Sequence, residues 1–379
     1  MDHLFGGVFS GRKVLVTGHT GFKGSWLSFW LTELGAKVTG YALTSATTPN
    51  LFTQLGLSRL MDSRIGDIRD LENLKKVVRE ARPEIVFHLA AQPLVRYSYE
   101  EPIETFSVNV LGTANLLEAT RESDSVRVCQ VITTDKCYEN RETDYAYREE
   151  DRLGGRDPYS ASKACAEMVV ASYRDSFFSA EASKISLSSA RAGNVIGGGD
   201  WAKDRLIPDC IRALTEGRAA EIRNPRSVRP WQHVLEPLSG YLRLAEMQWR
   251  NPGSFSEAWN FGPEAGEVKS VRDVVEIAAR LWPGGAWTAL KADSAAPHEA
   301  RLLQLDNGKA KKRLGWRPVY QTQEAVEKTI IWYLASRDPG FNFIDFTRGQ
   351  IKDYVSLACK MGLSWAVESE NLKSAKSVS

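Results

Sequence analysis

Three glycines at every third position, Gly18, Gly21 and Gly24, link a β-branched run, Arg12 to Thr17, to an apolar-faced segment, Phe22 to Leu34. This order constrains the fold more than any other feature of the 379 residues. A short, continuous apolar run bounded by glycine is the pattern of a strand buried on both faces, as in a parallel sheet. The segment after the turn reads as a helix closed by Gly35. Glycine is needed where the chain turns tightly and another group approaches its backbone without a Cβ in the way. Free N–H groups at the helix start then favour an anion. The spacing is GxxGxxG rather than GxGxxG, and glycines alone often mark no more than a tight loop. A strand before the turn and a helix after it favour dinucleotide binding.

The alternation continues. Lys37 to Ala42, Ile85 to Leu89, Val128 to Thr134 and Ile185 to Ala190 read as strands. Leu71 to Ala81, Thr105 to Thr120 and Pro158 to Tyr173 read as helices. The expected class is therefore α/β, a doubly wound parallel sheet of Rossmann type covered on both faces. Beyond Gly197, Gly198 and Gly199 the pattern loosens. Leu206 to Glu216, Val268 to Leu281 and Gln323 to Ala335 still read as helices, while Pro225, Pro230, Pro237 and Trp-rich segments suggest a smaller, mixed α/β lobe. The expected division is a dinucleotide-binding domain over 1–195 with a return segment near 233–265. A substrate lobe would take 196–232 and 266–350, and a C-terminal helix with a polar tail 351–379.

The 49 basic and 47 acidic residues are well mixed, so no clustered positive charge is available for a nucleic-acid backbone. Five cysteines, Cys129, Cys137, Cys165, Cys210 and Cys359, are odd in number and lack CxxC spacing, as expected of a reduced cytoplasmic protein. The five histidines show no paired-ligand spacing, and no metal site is expected. No window reaches membrane-spanning length, and the N-terminus lacks a signal-peptide pattern. The eleven tryptophans read as packing residues rather than a sugar platform.

Tyr159 and Lys163 stand four apart in an expected helix, which puts both on one face. Asp157 can cap that helix and Pro158 suits its first turn. A lysine beside the phenol favours the phenolate, so the Tyr159 pKa should fall toward working pH, as removal of a hydroxyl proton requires. The acid usually found at the end of the second strand is missing: from Ala42 through Met61 there is no Asp or Glu. Neither an NAD carboxylate nor an NADP arginine is evident there. Asp67 offers an adenine-side contact, although a loop aspartate is commonly a turn residue.

With the glycine turn and the Tyr159–Lys163 pair together, the chain resembles the extended short-chain dehydrogenase/reductase family over roughly residues 11 to 350. Further matches are Gly66-Asp67-Ile68, His88-Leu89-Ala90-Ala91-Gln92, Asn109 with Gly112-Thr113, Arg191-Ala192-Gly193-Asn194-Val195, and Arg229-Pro230-Trp231-Gln232-His233-Val234. The resemblance implies action on nucleotide-linked sugars. It implies cofactor contacts at Gly18, Thr20, Gly21, Phe22, Lys23, Gly24, Asp67, Ile68, Leu89, Ala90, Ala91, Tyr159 and Lys163. Substrate contacts are implied at Gln92, Arg96, Asn194, Arg205, Leu206, Arg229, Asn260 and His298. Ala295 and Ala296 stand where an arginine often precedes that histidine. Arg229 is favoured for the substrate diphosphate, whereas Arg191 suits either that role or an internal ion pair.

Thr133-Thr134-Asp135-Lys136 makes a finer distinction. Epimerases of the family carry small residues here, while sugar 4,6-dehydratases place an acid after the threonine to protonate a leaving hydroxyl. Asp135 matches that acid, and Lys136 stands where most dehydratases have a glutamate base. The Thr-Asp-Lys run with the Arg229–Val234 segment implies CDP-D-glucose as substrate, tightly bound recycled NAD, and a lyase step in deoxysugar synthesis for surface polysaccharide. Thr134, Asp135, Lys136, Tyr159 and Lys163 are the implied catalytic set, with Lys136 a neutral base of lowered pKa beside positive neighbours. A homodimer or homotetramer is implied as well. Another nucleotide-sugar dehydratase, a 4-epimerase and a non-catalytic NAD(P)-binding protein are the alternatives, and Asp135 and Lys136 as mere solvated strand-end charges is the plainest one.

Overall fold

The computed structural model describes residues 1–179, 184–290 and 302–367. Its centre is a seven-stranded parallel sheet: β1 (Lys13–Thr17), β2 (Lys37–Ala42), β3 (Asp62–Ile65), β4 (Ile85–His88), β5 (Val128–Ile132), β6 (Ser186–Ala192) and β7 (Ala258–Phe261). The strand order is β3-β2-β1-β4-β5-β6-β7. Val14 of β1 is in register with Val38 on one side and Ile85 on the other. Successive side chains of β1 go to opposite layers, Val14 and Val16 into one core and Leu15 into the other. Both faces are covered, which is why β4 and β5 are buried throughout.

Helices supply the cover. α1 (Phe22–Glu33) places Leu27, Trp30 and Leu31 on the Val14 side, while α2 (Leu71–Ala81) places Leu74 and Val78 on the Leu15 side. α3 (Val95–Glu100), α4 (Gly112–Arg121) and α5 (Pro158–Phe177) follow in the chain. α6 (Leu206–Thr215), α7 (Leu235–Arg250), α8 (Val271–Leu281), α9 (Thr322–Ala335) and α10 (Phe343–Lys360) follow, with short helical segments at Leu51–Gln54 and Pro102–Phe106 besides. Outside the main sheet, Ala220–Ile222 pairs with Trp287–Ala289 and Val228–Arg229 with Lys269–Ser270, forming small sheets beside α6 and α8. Among the described residues no helix is long and apolar enough to cross a membrane.

Three readings of the sequence change. The single helix expected over Thr105 to Thr120 is interrupted by a π turn at Ser107–Leu111. There the Asn109 carboxamide accepts from the Gln92 N–H at 2.8 Å and donates to the Gln92 carbonyl at 3.1 Å and to Ser162 Oγ at 2.9 Å. Asp62–Ile65, where the sequence pattern indicated no strand, forms edge strand β3. The Pro237 region is helix α7, because proline in a first turn removes an N–H that has no helical acceptor anyway.

Glu236, in that same turn, is buried. It accepts from the backbone N–H of Val319 at 3.0 Å and Tyr320 at 2.7 Å and from the Tyr354 hydroxyl at 2.8 Å, tying α7 to the C-terminal segments. Burial pushes its carboxyl up to about 7 from the ordinary 4.5. The folded chain therefore holds a proton that the unfolded chain releases at lower pH. The resulting stability is full below the unfolded value and is lost as pH rises through the folded one. Glu236→Gln is expected to flatten this trend. Thermal melts at about pH 5 and about pH 8 should differ less for the variant than for the parent protein.

Candidate active site

The sheet order reverses between β1 and β4, and the loops leaving their C-terminal ends form the crevice where α/β sheets bind ligands. Gly18 ends β1 with φ +76, and a Cβ there would lie 2.7 Å from the Ala90 nitrogen at the end of β4. At Gly24 a Cβ would lie 2.0 Å from the Gly18 carbonyl oxygen, so α1 docks directly on the turn. Gly21, the N-cap of α1, offers no side chain to the first N–H groups, which leaves them for an anion. This cradle suits a pyrophosphate. Every expected cofactor residue, from Gly18 to Gly24 through Asp67, Ile68 and Leu89–Ala91 to Tyr159 and Lys163, lines one cleft of about 1450 Å³. Past β2 the wall is Leu43, Thr44, Ser45 and Ala46, without a carboxylate. Asp67 is held by Arg69 in a bidentate ion pair, which keeps its carboxyl below the usual range.

Beside the glycine turn, α5 begins with Asp157 accepting from the Ser160 N–H at 2.9 Å and Pro158 in its first turn. The Tyr159 N–H donates to Ser98 Oγ at 3.1 Å, which fixes the start of α5 against α3. Tyr159 and Lys163 both face the cleft. The expected fall in the Tyr159 pKa is corrected: burial raises the phenol to about 12, opposed by a hydrogen bond with Thr134 and by Arg205. Lys163 donates instead to the Ile132 carbonyl at 3.3 Å, and burial lowers its amine to about 8. Lys23 also lines the cleft, with its amine lowered to about 7 by burial and by Lys163 and Arg205.

Thr134 caps a short turn, Asp135–Cys137, that carries the other two implied catalytic residues. Its hydroxyl donates to Asp135 Oδ1 at 3.0 Å, and Lys136 Nζ lies 3.4 Å from the same oxygen and 3.5 Å from Asn194 Oδ1. Lys136 is therefore paired with a carboxylate, in contrast to the cationic surroundings expected for it. Thr134 and Lys136 line the cleft, whereas Asp135 is fully buried beneath them, and its Oδ2 accepts no hydrogen bond from a described residue.

Of the implied substrate residues, Arg96, Asn194, Arg205, Leu206 and Arg229 line the same cleft. Two do not reach it. The Gln92 carboxamide folds onto its own loop, accepting from the Leu94 N–H at 2.5 Å and donating to Thr105 Oγ1 at 2.9 Å. Asn260, on β7, is fully buried and donates to the carbonyls of Tyr147 at 2.9 Å and Asp306 at 3.2 Å. His298 lies outside the described residues. Arg191 forms the internal ion pair, 2.7 Å from Glu167, away from the cleft.

The sequence reading missed the anionic side of the cleft. Arg205 pairs with Asp200 at 2.8 Å, and Asp204 lies 3.1 Å from Arg223 and 3.7 Å from Arg96. Asp200 is fixed in turn by the Tyr333 hydroxyl of α9, which donates to its carbonyl. Asp200 and Arg205 are five residues apart in one loop, whereas Arg96, Arg223 and Tyr333 lie far from their partners in sequence, and no local spacing signals those contacts. Glu167 differs: it stands one helical turn beyond Lys163, a spacing legible in the sequence.

A family model described as GDP-mannose 4,6 dehydratase matches residues 15–329. A CDP-glucose 4,6-dehydratase of Salmonella typhimurium is 50% identical over 351 residues, covering 92% of this chain and 97% of that protein. A dTDP-glucose 4,6-dehydratase of Xanthomonas campestris is 27% identical over 85% of this chain and 93% of its own length. Among solved structures, the dTDP-glucose 4,6-dehydratase of Bacillus anthracis in complex with NAD superposes with TM-score 0.70 at 23% identity, covering 86% of this chain and 97% of that one. At that identity the likeness speaks for the fold.

Gly24→Ala is expected to push α1 off the turn, since a methyl group cannot sit 2.0 Å from a carbonyl oxygen. Affinity for NAD, measured by calorimetry, should fall by at least about tenfold, ~1.4 kcal/mol. Gly349→Ala, in α10 where a Cβ meets nothing within 4 Å and φ is not positive, should leave it unchanged.

Proposed function

This chain belongs to the GDP-mannose 4,6-dehydratase family, and from that premise we propose that it converts CDP-D-glucose to CDP-4-keto-6-deoxy-D-glucose. The observation that carries this reading is the 50% identity with a CDP-glucose 4,6-dehydratase along nearly the whole of both chains. The cleft supports it by bringing Thr134 and Lys136 to the same wall as Tyr159 and Lys163.

The glycine turn would hold the NAD pyrophosphate, Asp67 and Ile68 the adenosine side, and Tyr159 and Lys163 the nicotinamide side. When bound, NAD supplies the acceptor for the C4 hydride and later the donor that returns it to C6. Tyr159 removes the C4 hydroxyl proton, with the Thr134 hydroxyl holding the phenol oxygen. A buried phenol is a poor base by itself, so positive charge beside it is needed to draw out the phenolate, and Lys163 supplies it. The C4 ketone acidifies the C5 proton, which Lys136 removes as a free amine. Asp135, protonated, donates to the departing C6 hydroxyl, and water leaves. One proton moved from Lys136 to Asp135 across their 3.4 Å contact converts the ion pair into this acid and base. Lys136 returns its proton to C5, and the proton taken from O4 replaces the one Asp135 lost. The cycle is redox-neutral. Arg229, Arg205 and Arg96 bind the diphosphate by charge-assisted hydrogen bonds, and Asp200 and Asp204 are the carboxylates it displaces or shares.

A homodimer fits an exposed apolar face where the helix and π turn of Pro102–Leu111 lie beside α5. Ile103 is 80% exposed, Leu111 60% and Met168 53%. Ile103→Glu with Met168→Glu is expected to yield monomers by light scattering. An unchanged mass would remove this face from consideration.

Product NMR on CDP-, dTDP-, GDP- and UDP-glucose tests the main reading. A C6 methyl signal from the CDP sugar is expected, and inverted C4 with oxygen kept at C6 would mean an epimerase. Lys136→Ala should slow dehydration by roughly a hundredfold or more, the scale of a lost general base. Elimination at the parental rate would reassign the C5 base.

A further inference from the structure

Glu167 shares a face of α5 with Lys163 and Tyr159, one and two turns back. It is 3% exposed, and a carboxylate at that depth needs a full set of partners. One oxygen accepts from the Thr133 hydroxyl. The other accepts from Ser189 Oγ at 2.7 Å and from Arg191 Nη2 at 2.7 Å. Arg191 goes on to donate to the Tyr138 hydroxyl at 2.7 Å, which donates to Asn260 Oδ1 at 2.7 Å. A buried hydrogen-bonded chain thus runs from the end of β5 to β7.

Compensating Arg191 would account for one of these contacts. It does not account for Thr133, the residue immediately before the Thr134–Lys136 turn, which lines the cleft with its neighbours and donates its hydroxyl to Glu167. Nor does it account for Lys163. Burial drives that amine toward its neutral form, and the largest opposing influence is the charge of Glu167.

We propose that Glu167 is a positioning residue for proton transfer: it anchors Thr133 so that the next turn presents Thr134 and Lys136, and it holds Lys163 as an ammonium. The proposal rests on the reading of Tyr159 and Lys163 as the proton-transfer pair. Without the carboxylate, Lys163 loses its proton at lower pH and Tyr159 loses the charge that favours phenolate.

Glu167→Gln preserves shape and removes charge. With saturating NAD and CDP-D-glucose, its kcat at about pH 8 should fall roughly tenfold or more, with KM within about threefold. The alkaline limb of its kcat profile should move down by about one pH unit, which corresponds to a tenfold change in lysine protonation. Phenolate absorbance, taken as the difference from the matching Tyr159→Phe enzyme, should appear at higher pH than in the parent. Glu167→Asp should restore the position of the alkaline limb. Thr133→Val should lower kcat at every pH without moving that limb. A Glu167→Gln enzyme with the parental pH profile and the parental Tyr159 titration overturns the proposal. If Glu167→Gln does not fold, a parental kcat in Thr133→Val overturns it. Turnover surviving Tyr159→Phe is a different result, since it removes the proton-transfer pair itself.

Discussion

The structure depends on a place where no side chain fits. α1 can reach β1 only if the chain turns within a few residues and Gly24 settles against the Gly18 carbonyl. The same closeness carries Gly18 to the backbone of Ala90 and so joins the ends of β1 and β4. This junction is where the strand order reverses and the cleft opens. Gly40 extends the requirement to β2: a Cβ there would collide with the His19 ring, which is buried and lies 2.7 Å from Ser63 Oγ. Bare backbone at these points aligns three strands and leaves the start of α1 facing the cleft.

Against that backbone frame the chemistry is built from buried charge. Arg191 and Glu167 satisfy each other, Arg205 has Asp200, and Lys136 has Asp135. Partly buried ions in so small a volume persist because each has a partner within hydrogen-bond reach, and removing one partner leaves the other exposed to the full cost of burial. The same burial drives the titrations of Tyr159 and Lys163 apart. It raises the phenol to about 12, away from working pH, and lowers the amine to about 8, toward it. A redox-neutral cycle also explains the bare end of β2. A cofactor that is not exchanged can be held by many contacts, and one ribose carboxylate is dispensable.

Much of this was legible in order along the chain. Continuous apolar runs identified β1, β4 and β5 because strands buried on both faces need no polar alternation. β6 was found despite Ser186, Ser188, Ser189 and Arg191, whose polar groups are absorbed by Gln248, Ser256 and Glu167. Edge strand β3 went unread because its Asp62-Ser63-Arg64 sequence is half solvated. Helix α7 was hidden by Pro237, a residue that breaks helices everywhere except in the first turn. Gln92 and Asn260 matched a motif in type and position, yet their carboxamides bind backbone nearby rather than facing the cleft.

By itself the sequence determined the turn, the parallel sheet and the helical spacing of Tyr159 and Lys163, since each follows from residues within a few positions of one another. Tertiary structure alone decided which charges meet. Arg96 and Arg223, far apart in the chain, meet at Asp204, and Lys136 meets Asn194 because β5 and β6 are neighbours. Burial decided the rest, moving Tyr159 upward where the local pairing pointed downward. Desolvation depends on everything packed around a group, and no spacing along the chain encodes it.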